Sequence, residues 1–238
     1  MKAPPSPAVR RPVMYHRWSR IAFLHWRYPT ETLQALVPAP LTVQTCDGSA
    51  WVGLTPFLMR GVRAPGVPAL PWLSRFPETN VRTYVRDPSG RSGIWFFSLD
   101  AARLPAVLAA RAGYALPYFW SEMAVRVDGD VVSYRSRRRW PSTGRGRRRA
   151  ELRLGPALAE PEYDALAHFL TARYRLFSKV AGRLVAAEVE HPPWPLRHAE
   201  PVRLDQDLLT SAGIPAPDTD PLVHASDGVP VRVGIWHR

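Results

Sequence analysis

The sequence predicts an α+β protein built on a large antiparallel β-barrel or cone with a few peripheral helices. Three observations predict it. Extended runs joined by short turn sequences fill most of residues 41–139. Helical patterns are few and fall between those runs. Hairpins with helices inserted among them favour one large sheet that curls or closes on itself.

The elements follow in order. Residues 1–12 hold four prolines among small and basic side chains, which offers nothing to bury and predicts a flexible N-terminal arm. Residues 21–26 read as a strand. Thr30 is positioned to cap a short helix with Leu33, Leu36 and Val37 on one side, stopped by Pro38 and Pro40. Asp47-Gly48 joins strands at 41–46 and 49–59, with glycine supplying the positive φ of a tight hairpin turn. Strands at 78–86 and 93–100 flank the turn sequence Asp87-Pro88-Ser89-Gly90. Leu104–Tyr114 is Ala-rich and helical, with Pro105 tolerated in its first turn. Asp128-Gly129 joins strands at 119–127 and 131–139. Helices are expected at 161–174 and 205–212, the latter ended by Gly213 and Pro215. The sum is about ten strands and three or four helices.

A chain of 238 residues that is 46% hydrophobic has material for a sizeable core. No repeat or long linker divides it, so residues 13–238 read as one domain. No run reaches the roughly 18 apolar residues of a membrane span, and no membrane partner is expected. The single cysteine, Cys46, makes no internal disulfide and agrees with a reducing, cytoplasmic setting. The formal charge of +12 invites a nucleic-acid reading. Lysine occurs only at Lys2 and Lys179, however, so 30 of the 32 basic residues are arginine, beside 26 prolines. That skew resembles a coding bias more than a binding surface, and nucleic acid is not the expected partner.

The most informative stretch is residues 78–86. In a strand, Glu78, Asn80, Arg82, Tyr84 and Arg86 share one face while Val81 and Val85 take the other. A solvated outer face over buried valines would give the same alternation. The next run, Ile94-Trp95-Phe96-Phe97-Ser98-Leu99, is apolar on both faces and therefore covered on both, and polar groups buried beside it must pair or line a cavity. In such a cavity Arg82 would hold a carboxylate, and Glu78, desolvated, would have its pKa pushed up and serve as acid or base. At about 3.3 Å per residue the two are roughly 13 Å apart, placing them at opposite ends of one ligand.

Several segments carry a resemblance. His25-Trp26-Arg27, Leu36-Val37-Pro38 with Pro40-Leu41, Asp47-Gly48 with Ala50-Trp51-Val52, and Glu78-Thr79-Asn80-Val81-Arg82-Thr83-Tyr84-Val85 do so in the first half. Trp95-Phe96-Phe97-Ser98-Leu99-Asp100, Leu116-Pro117-Tyr118, Ala172-Arg173-Tyr174-Arg175-Leu176 and His191-Pro192-Pro193-Trp194-Pro195-Leu196 continue it. In order, they resemble the recurring segments of the YqjF-like family, a domain family of unknown function, from about Trp18 to Trp236. That family is similar to the acetoacetate decarboxylase superfamily, which implies a large antiparallel barrel or cone with outer helices and an internal ligand cavity. In the decarboxylases a lysine after a proline forms a Schiff base with the substrate ketone, and a second lysine lowers its pKa. The resemblance places that proline at Pro117, the two lysine positions at Tyr118 and Phe119, and the assisting glutamate at Glu78. Neither Tyr nor Phe condenses with a carbonyl, so lysine-dependent decarboxylation is not expected.

The remaining motifs are weaker. Eight arginines fall at Arg135, Arg137, Arg138, Arg139, Arg145, Arg147, Arg148 and Arg149, where Arg135, Arg137 and Arg139 share a strand face. Solvated strands that blunt a sheet edge explain them as well as an anion grip does. No two of the seven histidines have the close helical spacing of a zinc motif. Gly90-Arg91-Ser92-Gly93 is one residue short of a nucleophile elbow, and no phosphate loop or dinucleotide fingerprint appears. Neither metal nor cofactor is expected. The reading is a small-molecule cavity with Glu78 and Tyr118 as acid and base, and Asn80, Arg82, Tyr84, Ser98, Glu122 and His25 as ligand contacts. The ligand carries a carboxylate or carbonyl, and the chemistry is a cofactor-free lyase, hydratase or isomerase step. A non-catalytic binding or sensor module is the alternative, nucleic-acid association through the arginine hairpin a third, and homo-oligomerisation stays open.

Overall fold

Extended runs rich in β-branched and aromatic residues form thirteen strands of a single sheet in the computed structural model, which describes residues 6–141 and 146–237. In chain order they begin with β1 (Pro12–Tyr28), β2 (Thr42–Val43), β3 (Thr45–Cys46), β4 (Ser49–Arg63), β5 (Phe76–Arg86) and β6 (Ser92–Ala101). Then come β7 (Tyr118–Asp128), β8 (Val131–Trp140), β9 (Arg147–Ala157), β10 (Arg175–Val180), β11 (Arg183–Glu190), β12 (Leu196–Gln206) and β13 (Leu222–Gly234). The helices are α1 (Thr30–Gln34), α2 (Leu104–Tyr114), α3 (Ala165–Thr171) and α4 (Leu208–Ser211), with a 3-10 turn at Glu160–Glu162. The protein is mostly sheet with few helices.

The sheet forks and closes on itself. A shared wall runs β13-β1-β4-β5-β6, all antiparallel. The far edge of β6 divides, pairing in parallel with β10 at Ile94 and Trp95 and with β7 at Leu99, Asp100 and Ala101. The far edge of β13 divides likewise, between β12 and β11. One circuit therefore returns through β10 and β11, and a wider one through β7, β8, β9 and β12. On one side of the wall Leu24, Trp26, Val52, Leu54, Val81 and Val85 pack with Val132, Tyr134 and Leu152. On the other, Phe23, Phe57, Met59 and Phe76 pack with Val107, Trp194 and Val231.

β1 changes parity midway. Met14, His16 and Trp18 face the same hollow, whereas beyond Arg20 it is the odd position Phe23 that packs on that side. Arg20 has φ +48°, and the β1–β4 register shifts between Ser19 and Leu24, the signature of a bulge. Opposite, Gly228 pairs with Ser19 at φ +114°, and a Cβ there would lie 1.9 Å from the Trp18 carbonyl oxygen. Only glycine fits.

Several expectations change in detail. Residues 41–46 are not one strand: β2 pairs with β5, β3 with β4, and the Gln44 N–H between them donates to the Tyr84 carbonyl. Thr30 is inside α1, whose cap is Pro29, so the threonine hydroxyl caps nothing. The helix expected at 161–174 is α3 alone, capped by the Asp164 carboxylate accepting from the Ala167 N–H at 2.8 Å. Only Leu208–Ser211 of 205–212 is helical. α2 spans the expected Leu104–Tyr114. Of the expected arm, residues 1–5 lie outside the described ones, while Val9 is buried, its N–H donating to Glu190 Oε2 at 2.9 Å, and Pro12 already belongs to β1.

The arginine hairpin also differs. Arg135, Arg137 and Arg139 are exposed, but alternation turns Arg138 and Arg148 inward, and Arg145 lies outside the described residues. Arg138 donates from Nε to Asp100 Oδ1 at 2.8 Å and from Nη2 to Asp100 Oδ2 at 2.9 Å and Ser98 Oγ at 2.8 Å. Ser121 Oγ completes the cluster on Asp100 Oδ1 at 2.7 Å. This buried pair rivets β6, β7 and β8 together.

Candidate functional site

β5 lies in the middle of the shared wall with neighbours on both edges, so its polar face is enclosed. Glu78, Asn80 and Arg82 are each at most 6% exposed. Together with Ile94, Phe96 and Leu99 of β6 they line a cavity of about 120 Å³, room for several waters or one small organic molecule. Tyr118 comes from the first residue of β7, and His16 and Trp18 from the first half of β1. Arg173, His191 and Trp194 arrive from the segments after α3 and β11. α3 ends in a tight turn at Ala172, where the Arg173 N–H donates to the Thr171 carbonyl at 3.0 Å.

Burial sets the electrostatics. Loss of hydration pushes the Glu78 carboxyl up to about 8; the Tyr118 hydroxyl, donating to Glu78 Oε1 at 3.1 Å, pulls the other way, and Asp100 adds a smaller upward push. Burial also raises the Tyr118 phenol well above its ordinary value, the Glu78 charge adding to the effect. Burial lowers His16 to about 3, so its ring is neutral, and lowers His191 in the same way. The Arg173 guanidinium is lowered by burial to about 10 and stays charged at neutral pH.

The polar lining is under-satisfied. Asn80 Oδ1, Arg82 Nε, Arg173 Nη2 and both His16 ring nitrogens have no hydrogen-bond partner among the described residues. A buried polar atom left bare costs about 1–3 kcal/mol, and five such atoms belong to residues that line this one cavity. Arg82 Nη2 donates to the Leu170 carbonyl at 3.3 Å and Arg173 Nη1 to Gln44 Oε1 at 3.1 Å, which holds both guanidinium planes in place. Among the described residues no group of three His, Cys, Asp or Glu side chains lies close enough to hold a metal ion.

Glu78, Asn80 and Arg82, expected together from the strand pattern, line one cavity with Tyr118, which the family resemblance singled out; the other expected residues do not join them. Tyr84 is fully buried behind the lining, its hydroxyl donating to the Leu170 carbonyl at 2.7 Å and lying 2.7 Å from His25 Nε2. With the phenolic proton on Leu170, Nε2 of His25 carries the hydrogen of that second contact. Neither residue lines the cavity. Ser98 faces the opposite side of β6, because an extra residue at Phe97 pairs Ser98 with Val81 and Phe96 with Arg82. Glu122 is on the surface, its side chain 64% exposed and paired with Arg139. β7 parts from β6 after Trp120, the last residue paired with it, and Glu122 lies beyond that point.

Arg173, His16, Trp18, His191 and Trp194 were missed as site residues. His16 and Trp18 share alternation on β1, and their stacking at 5.5 Å between ring centroids carries that sign. Arg173, His191 and Trp194 sit inside segments that carried the family resemblance, and that placement was the usable signal.

The chain matches the family DUF2071, described as an uncharacterized conserved protein, over residues 15–230. It is 38% identical over 213 residues to the uncharacterized protein YqjF of Bacillus subtilis, covering 89% of this chain and 86% of that one. Among solved structures it is similar to an acetoacetate decarboxylase-like enzyme from Sphingomonas wittichii RW1, at TM-score 0.65 and 15% identity over 95% of this chain and 92% of that one. It is equally similar to the enduracididine biosynthesis enzyme MppR complexed with pyruvate, at TM-score 0.65 and 13% identity over 97% and 91% of the two chains.

Proposed function

From a chain that belongs to the DUF2071 family and has the acetoacetate decarboxylase-like fold, we propose that the sheet forms a barrel around a site for a small carboxylate or carbonyl compound, and that the site performs acid–base chemistry without a Schiff base. The observation that carries the reading is the convergence of bare polar atoms from Asn80, Arg82, Arg173 and His16 on the cavity that also holds Glu78 and Tyr118.

Arg82 Nε and Arg173 Nη2 are unspent cationic donors, the complement of a carboxylate. Asn80 Oδ1 is an unspent acceptor for a hydroxyl or amide. Glu78, with a pKa near 8, is protonated over most of its population at neutral pH and still supplies an ionised fraction. The ionised form takes a proton from a carbon beside the bound carbonyl, and the protonated form returns it to a second atom. Tyr118, donating to Glu78 Oε1, stabilises the carboxylate before the first transfer and after the second. Lyase, hydratase and isomerase steps share this sequence. A Schiff base needs a primary amine; Lys179 is exposed at the end of β10, and Lys2 lies outside the described residues. The arginine hairpin stays outside the reading: Arg138 faces inward on Asp100, while Arg139 and Arg149 pair with Glu122 and Glu151.

The test is a thermal-shift screen of keto and hydroxy acids, followed by mass spectrometry for conversion. Stabilisation by a small acid, lost in Arg82→Met and kept in Glu78→Gln, supports the site; conversion lost in Glu78→Gln supports the proton carrier. Turnover of the same acid by Glu78→Gln at the wild-type rate defeats the role of Glu78. Stabilisation without conversion leaves a binding or sensor module.

A further inference from the structure

The cavity is not the end of the enclosed space. A second, more open hollow of about 500 Å³ lies between α2 and the 64–75 loop. Met14, Met59, Glu78, Ala110, Tyr114 and Tyr118 line both, so the two spaces meet at the Glu78–Tyr118 pair. Their characters differ. The inner cavity ends on the unspent donors of Arg82 and Arg173, whereas the outer groove is walled by Val62, Val67, Leu70, Leu73 and Phe76 opposite the small side chains of α2.

α2 turns Pro105, Ala106, Ala109, Ala110 and Gly113 toward this groove, positions spaced for one helix face. None is large enough to fill it. A Cβ added at Gly113 would meet nothing within 4 Å. The polar groups are few: Ser74 Oγ already donates to the Leu70 carbonyl within the loop, and Arg63 sits at the rim. In the groove's wall, Val67 and Leu70 are more than half exposed, and on the same 64–75 loop the 65% exposed Trp72 is held by Arg103, whose guanidinium lies 4.5 Å over the ring. Large apolar side chains left in water around an apolar groove signal a site that receives apolar material.

The geometry points to an amphipathic substrate: an aliphatic acid whose carboxylate reaches Arg82 and Arg173 in the inner cavity, whose reacting carbons pass Glu78 and Tyr118, and whose alkyl chain lies in the groove between α2 and the 64–75 loop. This inference rests on the reading of the cavity as a carboxylate site and adds the chain-binding half of the substrate. A membrane-facing or protein-facing use of the same mouth would not require the groove to open onto the acid–base pair; a ligand that spans both does.

The experiment is calorimetric titration of the full chain with straight-chain carboxylic acids of about four to about twelve carbons, and in parallel with primary alcohols of the same lengths. Each methylene buried in the groove should tighten binding about fourfold, the factor equivalent to about 0.8 kcal/mol. Ala109→Phe, at a position lining the groove and not the inner cavity, should flatten that increment while leaving the shortest acid unchanged. Affinity independent of chain length in both series overturns the inference. A retained increment in Ala109→Phe overturns it too, because the chain would then lie elsewhere. If the alcohols keep the increment while acids gain nothing from Arg82, the groove stands and the carboxylate reading fails. If neither series binds and Ala109→Phe instead changes sedimentation of the chain, the groove is a contact between copies, which also overturns it.

Discussion

The Tyr118 hydroxyl donates to Glu78 Oε1 at 3.1 Å across the gap between β7 and β5. The two strands are not paired with each other; β6 lies between them in the sheet. The contact is therefore made over the end of β6, where helix α2 has just left the wall. A carboxyl this deeply buried retains its proton to unusually high pH, and the Tyr118 hydroxyl that donates to it is a group that itself resists ionising.

Stability should carry the mark of Glu78. Its folded pKa of about 8 lies above the ordinary 4.5, so between those values the folded chain holds a proton that the unfolded chain has released. Its contribution is fully present below about 4.5, is lost as pH rises toward about 8, and levels off beyond. Glu78→Gln mimics the protonated acid, and its stability relative to the parent should rise across that window by an amount on the order of 4–5 kcal/mol. His16, lowered to about 3, acts oppositely: its contribution is present above about 6.5 and is lost as pH falls toward 3. Urea titrations of parent and variant at closely spaced pH check both slopes, and a constant difference between the two proteins rejects the assignment.

Asp100 and Arg138 should be mutually dependent. Their charged groups are 0% and 2% exposed, with bidentate geometry and Ser98 and Ser121 completing the shell. Asp100→Ala strands a guanidinium in the interior and should cost about 3–5 kcal/mol. The double variant Asp100→Leu with Arg138→Met removes both charges and should be less damaging than Asp100→Ala alone. Chemical denaturation of the three variants decides it; additive losses would mean that the pair does not act as a unit.

Gly228→Ala should destabilise by at least about 2 kcal/mol. The position combines φ +114° with a Cβ 1.9 Å from the Trp18 carbonyl oxygen, so either strain or a shift of the strand must follow. Because Trp18 lines the cavity, tryptophan fluorescence should change with stability. Thermal melting equal to that of the parent would contradict the crowding described.

Much of this was legible in the residues. Strict alternation over 78–85 placed Glu78, Asn80 and Arg82 on one face, because two-residue periodicity is local and needs no knowledge of neighbours. Pro105 and a short alanine-rich run fixed α2 for the same reason. What escaped depends on partners. Ser98 faces away because one extra residue, Phe97, slips β6 against β5. Glu122 is wet because the sheet forks just before it. Arg148 is buried, and Arg173 reaches the cavity from distant sequence. A bulge or a fork reverses a face without changing composition, and periodicity cannot register it.

The left-handed residue at Arg20 divides the longest strand into two stretches with independent aim. Losing or gaining one residue ahead of it would rotate Met14, His16 and Trp18 away from the interior while Phe23 and His25 kept their places. The first half of β1 thus acts as an adjustable rim: relatives that differ by a single indel there would present a different ceiling to the same Glu78 floor. For an engineer, that offers a way to reshape what the protein admits without disturbing the groups that act on it.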